Sequence, residues 1–384
     1  MSDSSKLSVT PFKIPDSDEQ IADLKTRLAL TRWPDKETPT DWSQGIPLAY
    51  MKEIKNYWQN EYNWQDRVAK LNQWPGFIAE VEGLDIHFLH IRSKHEQAKP
   101  LLLTHGWPGS IIEFQKVIGP LSDPTAFGGD ADDAFHVICP SLPGFGYSGK
   151  PVSTGWDIAK IAGAWDQLMI GLGYDKYFAQ GGDWGSIVTA MIGAQNLGHC
   201  QAVHMNMPIA PPDPEKMDDL TELEQSALAA LQFYQDHDSG YSKQQATRPQ
   251  TLGYGLVDSP IGQASWILEK FYQWTDCDGH PENVLNRDEL LDNVMLYWLP
   301  ATGASSARIY WESFGNTAVD EITIPTGCSI FPKEIFKTSR RWAESKFTNI
   351  IHFNVLDKGG HFAAFEQPEV FVDEVRTCFR QVRS

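Results

Sequence analysis

The stretch YFAQGGDWGS, at residues 177–186, has the pattern of a buried strand, a sharp turn between glycines and a helix that begins near Ser186. In a nucleophile elbow of the form Gly-x-Ser-x-Gly, a serine stands at the tip of this turn. Here Asp183 takes that position. A carboxylate that attacks a saturated carbon forms an ester, which water can cleave, whereas a serine would form an ether, which water cannot cleave. The pattern therefore favours displacement at an sp³ carbon through a covalent alkyl-enzyme.

The same pattern has a structural interpretation, in which the glycines form an ordinary turn and Asp183 only caps the N-terminus of a helix. A nucleophile of this kind needs a base that activates water and an acid that orients the base. The choice between the two interpretations therefore depends on the rest of the chain.

Size and composition limit the classes of protein to consider. The chain has 384 residues, of which 41% are apolar and 21% charged, as in ordinary globular proteins. The net charge of −18 disfavours binding to nucleic acid or to an anionic membrane. No apolar run approaches the roughly 20 residues of a membrane span. The first six residues lack the features of a signal peptide, so we expect a soluble, cytoplasmic protein without a membrane anchor.

The five cysteines are scattered along the chain, and none belongs to a Cys-x-x-Cys pair. They are Cys139, Cys200, Cys277, Cys328 and Cys378. This pattern indicates free thiols in a reducing compartment. It predicts no metal site, and the chemistry considered for Asp183 needs no cofactor.

The first part of the chain predicts a helical arm. Residues 15–75 are rich in tryptophan and show helical spacing, and Asp16 and Ser17 can cap the first helix. Two strands are predicted after it, at residues 77–81 and 86–91. We therefore assign residues 1–95 to an N-terminal arm that leads into the first strands.

Beyond the arm, short apolar runs alternate with stretches that are long enough for helices. The runs are residues 101–105, 136–140, 177–180, 202–207, 328–331 and 350–355. Helices are predicted at residues 112–121, 156–172 and 370–379. Buried strands that alternate with helices predict an α/β fold with a mostly parallel, doubly wound sheet.

One long segment interrupts this alternation. Residues 210–320 are helical, acidic and aromatic, and they separate the two halves of the core at residues 96–209 and 321–384. Such an insertion commonly forms a lid over the carboxyl ends of the strands, where open α/β sheets bind ligands. The sequence therefore predicts a site between this lid and Asp183.

A candidate acid and a candidate base follow Asp183 in the chain order nucleophile, acid, histidine. His361 stands in a glycine-rich loop after the last predicted strand, from which it can reach the tip of the central strand. Glu334 follows the preceding strand and would orient the imidazole and stabilise the imidazolium. Asp357 is the alternative acid, although its place on the same loop as His361 better suits a brace for that loop.

The loop HGWPGS at residues 105–110 follows a predicted strand, at the place where an oxyanion-binding loop belongs. We expect the backbone N–H groups of Trp107 and Trp184 to stabilise the oxyanion that forms when water attacks the ester. Pro108 fixes the turn but has no N–H to donate.

Taken together, four motifs resemble those of the epoxide hydrolases of the α/β-hydrolase fold. They are HGWP at 105–108, PGFGYS at 143–148, GDWG at 182–185 and GGHFAA at 359–364. Further upstream, LALTRWPD at 28–35, YW at 57–58 and YNW at 62–64 resemble the arm of the microsomal branch of that family, which includes soluble members and insect juvenile-hormone enzymes. The resemblance spans almost the whole chain and implies the α/β-hydrolase fold with an inserted helical lid and an N-terminal helical arm.

The resemblance also implies two lid tyrosines whose hydroxyls hold and protonate the epoxide oxygen. Tyr310 fits one of them, and Tyr241, seven residues before an Arg-Pro pair, fits the other. Tyr254 and Tyr272 are the alternatives to Tyr241. A phenol suits the role because it can donate a hydrogen bond and a proton to the alkoxide that ring opening builds.

The implied activity is hydrolysis of a lipophilic epoxide by water to a vicinal diol, with catalysis by Asp183, His361, Glu334, Tyr241 and Tyr310. The implied partners are the epoxide and water, and lid-mediated homodimers are compatible with this architecture. One alternative is a haloalkane dehalogenase, which needs halide-binding donors in place of two lid phenols. Another is a catalytically silent fold that binds a ligand, although such proteins usually lose a member of the catalytic set.

Overall fold

The computed structural model describes residues 7–315 and 319–383, so residues 1–6, judged above to lack a signal peptide, lie outside it, as do residues 316–318 of the predicted lid. A nine-stranded sheet in the order β1-β2-β3-β5-β4-β6-β7-β8-β9 forms its centre. The strands are β1 Val9–Phe12, β2 Gly76–Val81, β3 Leu84–Ile91, β4 Lys99–Thr104, β5 Phe135–Pro140, β6 Tyr177–Gly181, β7 Cys200–Met205, β8 Thr326–Ile330 and β9 Ile350–Val355. The pairings among β4 to β9 are parallel, and those among β1, β2, β3 and β5 are antiparallel. The predicted mostly parallel, doubly wound sheet is confirmed.

Helices cover this sheet, and β6 lies near its middle. The helices of the core are α4 Ile118–Ser122, α5 Ile158–Gly171, α6 Trp184–Gln195, α13 Arg340–Ala343, α14 Ala363–Glu366 and α15 Pro368–Arg380. The five residues of β6 are all buried, as the apolar run predicts for a central strand. The carboxyl end of β6 therefore lies at the edge of the sheet where ligands bind in open α/β folds.

The described residues of the N-terminal arm form the three helices of its predicted helical part. They also form a strand, β1, that the sequence did not predict. The helices are α1 Asp18–Ala29, α2 Leu48–Asn60 and α3 Trp64–Leu71. The Ser17 side chain caps α1 by accepting a hydrogen bond from the Gln20 N–H, as expected. Strand β1 adds to the edge of the sheet beside β2. It was missed because it has only four residues and includes Pro11, which a sheet tolerates at an edge.

The predicted helix at residues 112–121 is wrong. A 3₁₀ turn at Ile111–Phe114 and the short helix α4 replace it. Gly119 and Pro120 lie in the first turn of α4, and a proline is tolerated only there, so a continuous helix cannot run from residue 112 through Pro120. The apolar residues of this segment are nevertheless buried, because its irregular backbone runs over the core.

In the region predicted as a lid, the described residues between β7 and β8 form six α-helices. They are α7 Glu222–Phe233, α8 Gly240–Thr247, α9 Pro249–Asp258, α10 Pro260–Trp274, α11 Arg287–Trp298 and α12 Arg308–Ser313. The arm is tied to α11, because Tyr62 donates a hydrogen bond of 2.8 Å to Asp292 and Arg67 donates to the same carboxylate. Among the described residues, no helix combines the length and the apolar character that a membrane crossing requires.

Candidate active site

Asp183 occupies a strained turn between β6 and α6. Its φ of 52° and ψ of −130° are unusual for a residue with a side chain. The glycines around it permit this turn, because a Cβ on Gly181 would lie 2.0 Å from the Gly185 carbonyl oxygen and one on Gly185 would lie 1.9 Å from the Thr104 carbonyl oxygen. The strand, turn and helix predicted at residues 177–186 therefore hold Asp183 just beyond the carboxyl end of β6.

The two oxygens of the Asp183 carboxylate have different partners. Oδ1 accepts a hydrogen bond of 2.7 Å from the Trp107 N–H. Oδ2 lies 3.2 Å from Nε2 of His361. The Trp184 N–H belongs to the first turn of α6, where backbone donors have no acceptor within the helix. Of the two predicted oxyanion donors, the Trp107 N–H is thus at hydrogen-bond distance from the Asp183 side chain, and the Trp184 N–H belongs to the residue that follows Asp183.

His361 connects Asp183 with Glu334. Its Nδ1 lies 2.6 Å from Oε1 of Glu334, which also accepts a hydrogen bond from the Ile335 N–H. Both side chains are buried, whereas Asp357 is exposed. The structure therefore brings together the predicted nucleophile, acid and base, and it places the alternative acid in solvent.

The charge of His361 is set by competing effects. Burial by itself lowers the pKa of an imidazole, but the carboxylates of Glu334 and Asp183 outweigh burial and raise the pKa of His361 well above its ordinary value. In the free protein His361 is thus an imidazolium between two carboxylates. Any change that neutralises Asp183 removes one of the two charges that hold this proton.

A second histidine in this region has a structural part. Burial lowers the pKa of His105 to about 4, so its ring is neutral. Nδ1 of His105 lies 2.9 Å from the Gly106 carbonyl oxygen, and Nε2 accepts a hydrogen bond of 3.2 Å from the Leu142 N–H. These contacts fix the backbone just before Trp107 and so orient the N–H that points at Asp183.

Helix α11 of the lid region also holds this loop. Asn293 donates a hydrogen bond of 2.8 Å to the Pro108 carbonyl oxygen, and the Tyr297 hydroxyl donates one of 2.6 Å to the Gly109 carbonyl oxygen. A loop whose carbonyl groups are bound to a packed helix cannot easily rotate. The donor of Trp107 is therefore set in place before any charge develops.

A mostly apolar cavity of about 220 Å³ opens on Asp183. Its walls come from the core and from the lid region, and they consist of Asp183, Trp184, Ile187, Met207, Ile209, Tyr234, Tyr241, Tyr310, Phe314, Ile335 and Phe336. Apart from Asp183, the polar atoms of these side chains are a hydroxyl on each of the three tyrosines and the indole N–H of Trp184. The cavity can thus take an apolar molecule and present a carboxylate and phenols to it.

The two predicted lid tyrosines meet in this cavity. The ring centroids of Tyr241 and Tyr310 are 5.7 Å apart, and the Tyr310 hydroxyl has no hydrogen-bond partner among the described residues. Burial is the main cause that raises the pKa of both phenols well above the ordinary value, and the negative charge of Asp183 contributes to both shifts. Both therefore keep their protons at neutral pH.

The two alternatives to Tyr241 lie elsewhere. The side chain of Tyr254 is 69% exposed on α9. Tyr272 stacks on Trp42 of the N-terminal arm, with 3.9 Å between the ring centroids. Neither of them lines the cavity.

Several residues around the cavity were missed by sequence reasoning. Tyr234 lines the wall, and its hydroxyl donates a hydrogen bond of 2.8 Å to Ser242. The backbone carbonyl oxygen of Trp274 accepts a hydrogen bond from the backbone N–H of His361. Lys270 is buried beside Tyr241. Sequence patterns carry no signal for these contacts, since they join side chains and backbone of different elements.

One group outside this site has metal-ligand side chains, His204, His352 and Glu374. Within the described residues these groups already bind one another or their neighbours. Glu374 lies 2.7 Å from His352 and accepts from Ser329 and Asn354, and Nε2 of His204 lies 2.9 Å from Ser329. The arrangement is that of a hydrogen-bond network between strands β7, β8 and β9 and helix α15.

Known proteins resemble the chain along nearly its whole length. Residues 9–114 match the family model described as epoxide hydrolase N terminus, and residues 99–249 match the model of the alpha/beta hydrolase fold. A candidate epoxide hydrolase of Stigmatella aurantiaca is 53% identical, over 98% of this chain and 86% of its own length. Epoxide hydrolase 1 of Sus scrofa is 35% identical, over 96% and 88%. The structure of the Aspergillus niger epoxide hydrolase aligns with a TM-score of 0.89 at 33% identity, over 99% of this chain and 98% of the other.

Proposed function

This chain belongs to the epoxide hydrolases of the α/β-hydrolase fold, and on that premise we propose that it converts a lipophilic epoxide and water to a vicinal diol through a covalent ester on Asp183. The observation that carries the proposal is the contact of one carboxylate with both a backbone donor and a histidine. The Trp107 N–H lies 2.7 Å from one oxygen of Asp183, and His361 lies 3.2 Å from the other. The proposed nucleophile is thus in contact with both a base and an oxyanion donor.

The first step forms the ester. A carboxylate oxygen of Asp183 bonds to a ring carbon, and the bond between that carbon and the epoxide oxygen breaks. Tyr241 and Tyr310 donate hydrogen bonds to the epoxide oxygen, and one phenol transfers its proton to it. The high pKa of both phenols supports this role, because a group must hold its proton at neutral pH before it can donate it.

The second step cleaves the ester. Water attacks the carboxyl carbon of Asp183 while His361 takes a proton from it, and the N–H groups of Trp107 and Trp184 stabilise the oxyanion. The carboxyl carbon then expels the diol oxygen, which takes the proton back from His361. Asp183 regains its negative charge, and the proton that it releases returns to His361, which is again an imidazolium.

Esterification also prepares His361 for its part as a base. The ester has no charge, so one of the two carboxylates that raise the pKa of His361 is gone at this stage. The pKa of the imidazole therefore falls, and the proton of His361 passes to the phenolate that ring opening leaves, so His361 is neutral when water attacks. Glu334, 2.6 Å from Nδ1, keeps the ring oriented towards the ester.

The cavity supports a lipophilic substrate. Its lining is mostly apolar, and its phenols lie on the side of the lid region, opposite Asp183 on the core. Two phenols suit an epoxide oxygen, which becomes an alkoxide and needs a proton. A halide needs no proton, so the dehalogenase alternative leaves the unpaired Tyr310 hydroxyl without a purpose.

The test is diol formation from a small panel of epoxides that includes styrene oxide. We expect the wild type to form diol and a folded Asp183→Ala variant to form none. We expect His361→Gln to form the ester but not to cleave it, so its intact mass should rise by the mass of one epoxide. If folded wild type forms no diol from any epoxide, the proposal fails, and haloalkanes are the next substrates to examine.

A further inference from the structure

Lys270 is a buried cation that contacts a tyrosine of the cavity. It lies on α10 and is 4% exposed. Its ammonium nitrogen lies 4.6 Å from the centroid of the Tyr241 ring and 5.5 Å from that of Trp274. A buried ammonium is costly unless it is paired, and the reaction described above makes no use of it.

Lys270 is held in place by two carboxylates. Nζ lies 2.6 Å from Oδ1 of Asp238 and 2.9 Å from Oε2 of Glu269. The other oxygen of Asp238 accepts a hydrogen bond of 2.6 Å from the indole N–H of Trp274. Asp238 ends a π-helical turn, Tyr234–Asp238, and such turns are frequent at functional sites. The contacts fix the ammonium over the ring instead of leaving it free to turn towards solvent.

We propose that Lys270 makes Tyr241 the proton donor of ring opening, by stabilising the negative charge that remains on the phenol ring when its proton passes to the epoxide oxygen. This inference rests on the proposed function and divides the work of the two tyrosines. Tyr241 gives the proton, and Tyr310 supplies a hydrogen bond. Lys270 acts through Tyr241 and is thus a positioning residue.

The ammonium of Lys270 acts differently on the phenol before and after proton transfer. A neutral ring attracts a cation through its quadrupole, whereas a phenolate carries a full negative charge spread into the ring. The cation therefore stabilises the state after transfer more than the state before it, which accelerates the step. Asp238 and Glu269 weaken the field of the ammonium at the ring, so we expect an effect of about tenfold on the rate, the size of a moderate cation–ring contact.

Tyr310 has a different environment. None of the cation–ring contacts within residues 7–315 and 319–383 involves Tyr310. Its ring packs edge-to-face against Trp107, Trp184 and Tyr241. A phenolate at Tyr310 would thus have no cation against its ring, which disfavours Tyr310 as the proton donor.

The test measures the rate of ester formation in a His361→Gln background, by chemical quench and intact mass. We expect Lys270→Met to slow ester formation about tenfold and Lys270→Arg, which keeps the charge, to restore most of the rate. In a Tyr241→Phe background, Lys270→Met should have no further effect. In a Tyr310→Phe background, the full effect of Lys270→Met should persist.

A second variant controls for folding, because Lys270→Met leaves Asp238 buried without its partner. Lys270→Met combined with Asp238→Asn removes both charges and keeps an acceptor for Trp274. It should still slow ester formation, but less than Lys270→Met alone, because the opposing charge of Asp238 is removed as well. The inference is overturned if Lys270→Met and this double variant react at the parent rate, or if Lys270→Met slows the Tyr241→Phe protein as much as the parent. If His361→Gln alone forms no ester, the proposed function itself fails, which separates the two failures.

Discussion

Asp183 adopts a backbone conformation that its neighbours enforce. A left-handed φ costs a residue with a side chain of the order of 1–3 kcal/mol, and packing of the surrounding turn must offset it. The strain places the carboxylate beyond the end of β6, between the Trp107 N–H and His361. The chemistry at this position follows from the identity of one residue, since a carboxylate and not a hydroxyl occupies the tip.

The pH dependence of turnover provides a prediction for Glu334. Its carboxylate raises the pKa of His361, and this effect persists in the ester, where Asp183 has lost its charge. The rate of ester cleavage falls as the pH drops below that pKa, because the imidazole becomes protonated. Glu334→Gln removes the charge, so the acid limb of the kcat profile should move to lower pH by about one to three units, while kcat at its plateau falls about 10²- to 10⁴-fold.

The matched control is Asp357→Asn. Asp357 is exposed, whereas Glu334 is in contact with the ring, so this variant should keep both the plateau and the acid limb of the wild type. The measurement is kcat between pH 5 and 9 for the three proteins. An acid limb that moves in Asp357→Asn and stays in Glu334→Gln would mean that the other carboxylate orients His361.

At the scale of elements, the glycines of the turn let β6, α6 and the end of β4 approach one another closely. A Cβ on Gly185 would lie 1.9 Å from the Thr104 carbonyl oxygen, which is backbone and cannot move aside. We expect Gly185→Ala to lower the free energy of unfolding by more than about 2 kcal/mol and to abolish turnover. Chemical denaturation and a diol assay measure the two effects.

Gly255→Ala is the control for this variant. Gly255 lies in α9, and nothing lies within 4 Å of the position of its Cβ. Alanine there should stabilise the helix by about 0.5–1 kcal/mol, because glycine is the more flexible residue in the unfolded chain. Equal stability of the two variants would contradict the account of the turn.

The elements differ in how far the sequence predicts them. Apolar runs and glycine spacing predict the buried strands and the position of Asp183 directly after β6. Glu334 and His361 were predicted from their places after β8 and β9. The helix predicted at 112–121 failed because burial of its apolar residues is satisfied by a 3₁₀ turn and a short helix. Strand β1 failed because four residues with a proline give too weak a pattern.

The cavity is less predictable than the strands, because it depends on contacts between distant elements. Tyr241 and Tyr310 were assigned only from the resemblance, since a lone tyrosine in a helical segment has no distinctive pattern. The pairing of Lys270 with Asp238 links residues that are 32 apart in the chain, with helices α8 and α9 between them. Such a contact depends on how the helices pack, which no local pattern encodes.

At the scale of the whole molecule, the N-terminal arm braces the lid region. Nε of Arg67 on α3 donates to both carboxylate oxygens of Asp292 on α11, at 3.0 Å each, and Nη2 donates to one of them. The Tyr62 hydroxyl donates to the same carboxylate. The same helix α11 holds the loop that carries the Trp107 N–H. The arm thus supports the candidate active site through one intermediate helix, although none of its described residues lines the cavity.

Arg67→Met tests this brace. The change leaves Asp292, whose side chain is 4% exposed, without its cation, and we expect a loss of about 3–5 kcal/mol in the free energy of unfolding. Arg340→Met is the control, since Arg340 pairs with Glu344 at the surface and should contribute less than about 1 kcal/mol. Similar losses in both variants, measured by chemical denaturation, would show that the contact between arm and lid region has no special weight.

The central claim is that water attacks the carboxyl carbon of Asp183 and not the epoxide. A single turnover in H₂¹⁸O, with enzyme in excess over styrene oxide, tests it most directly. The account predicts that the diol carries no ¹⁸O from this first turnover and that the peptide containing Asp183 gains it, because the oxygen added to the substrate comes from the carboxylate. A diol labelled in the first turnover, with an unlabelled Asp183 peptide, would mean direct attack by water and would contradict the covalent ester.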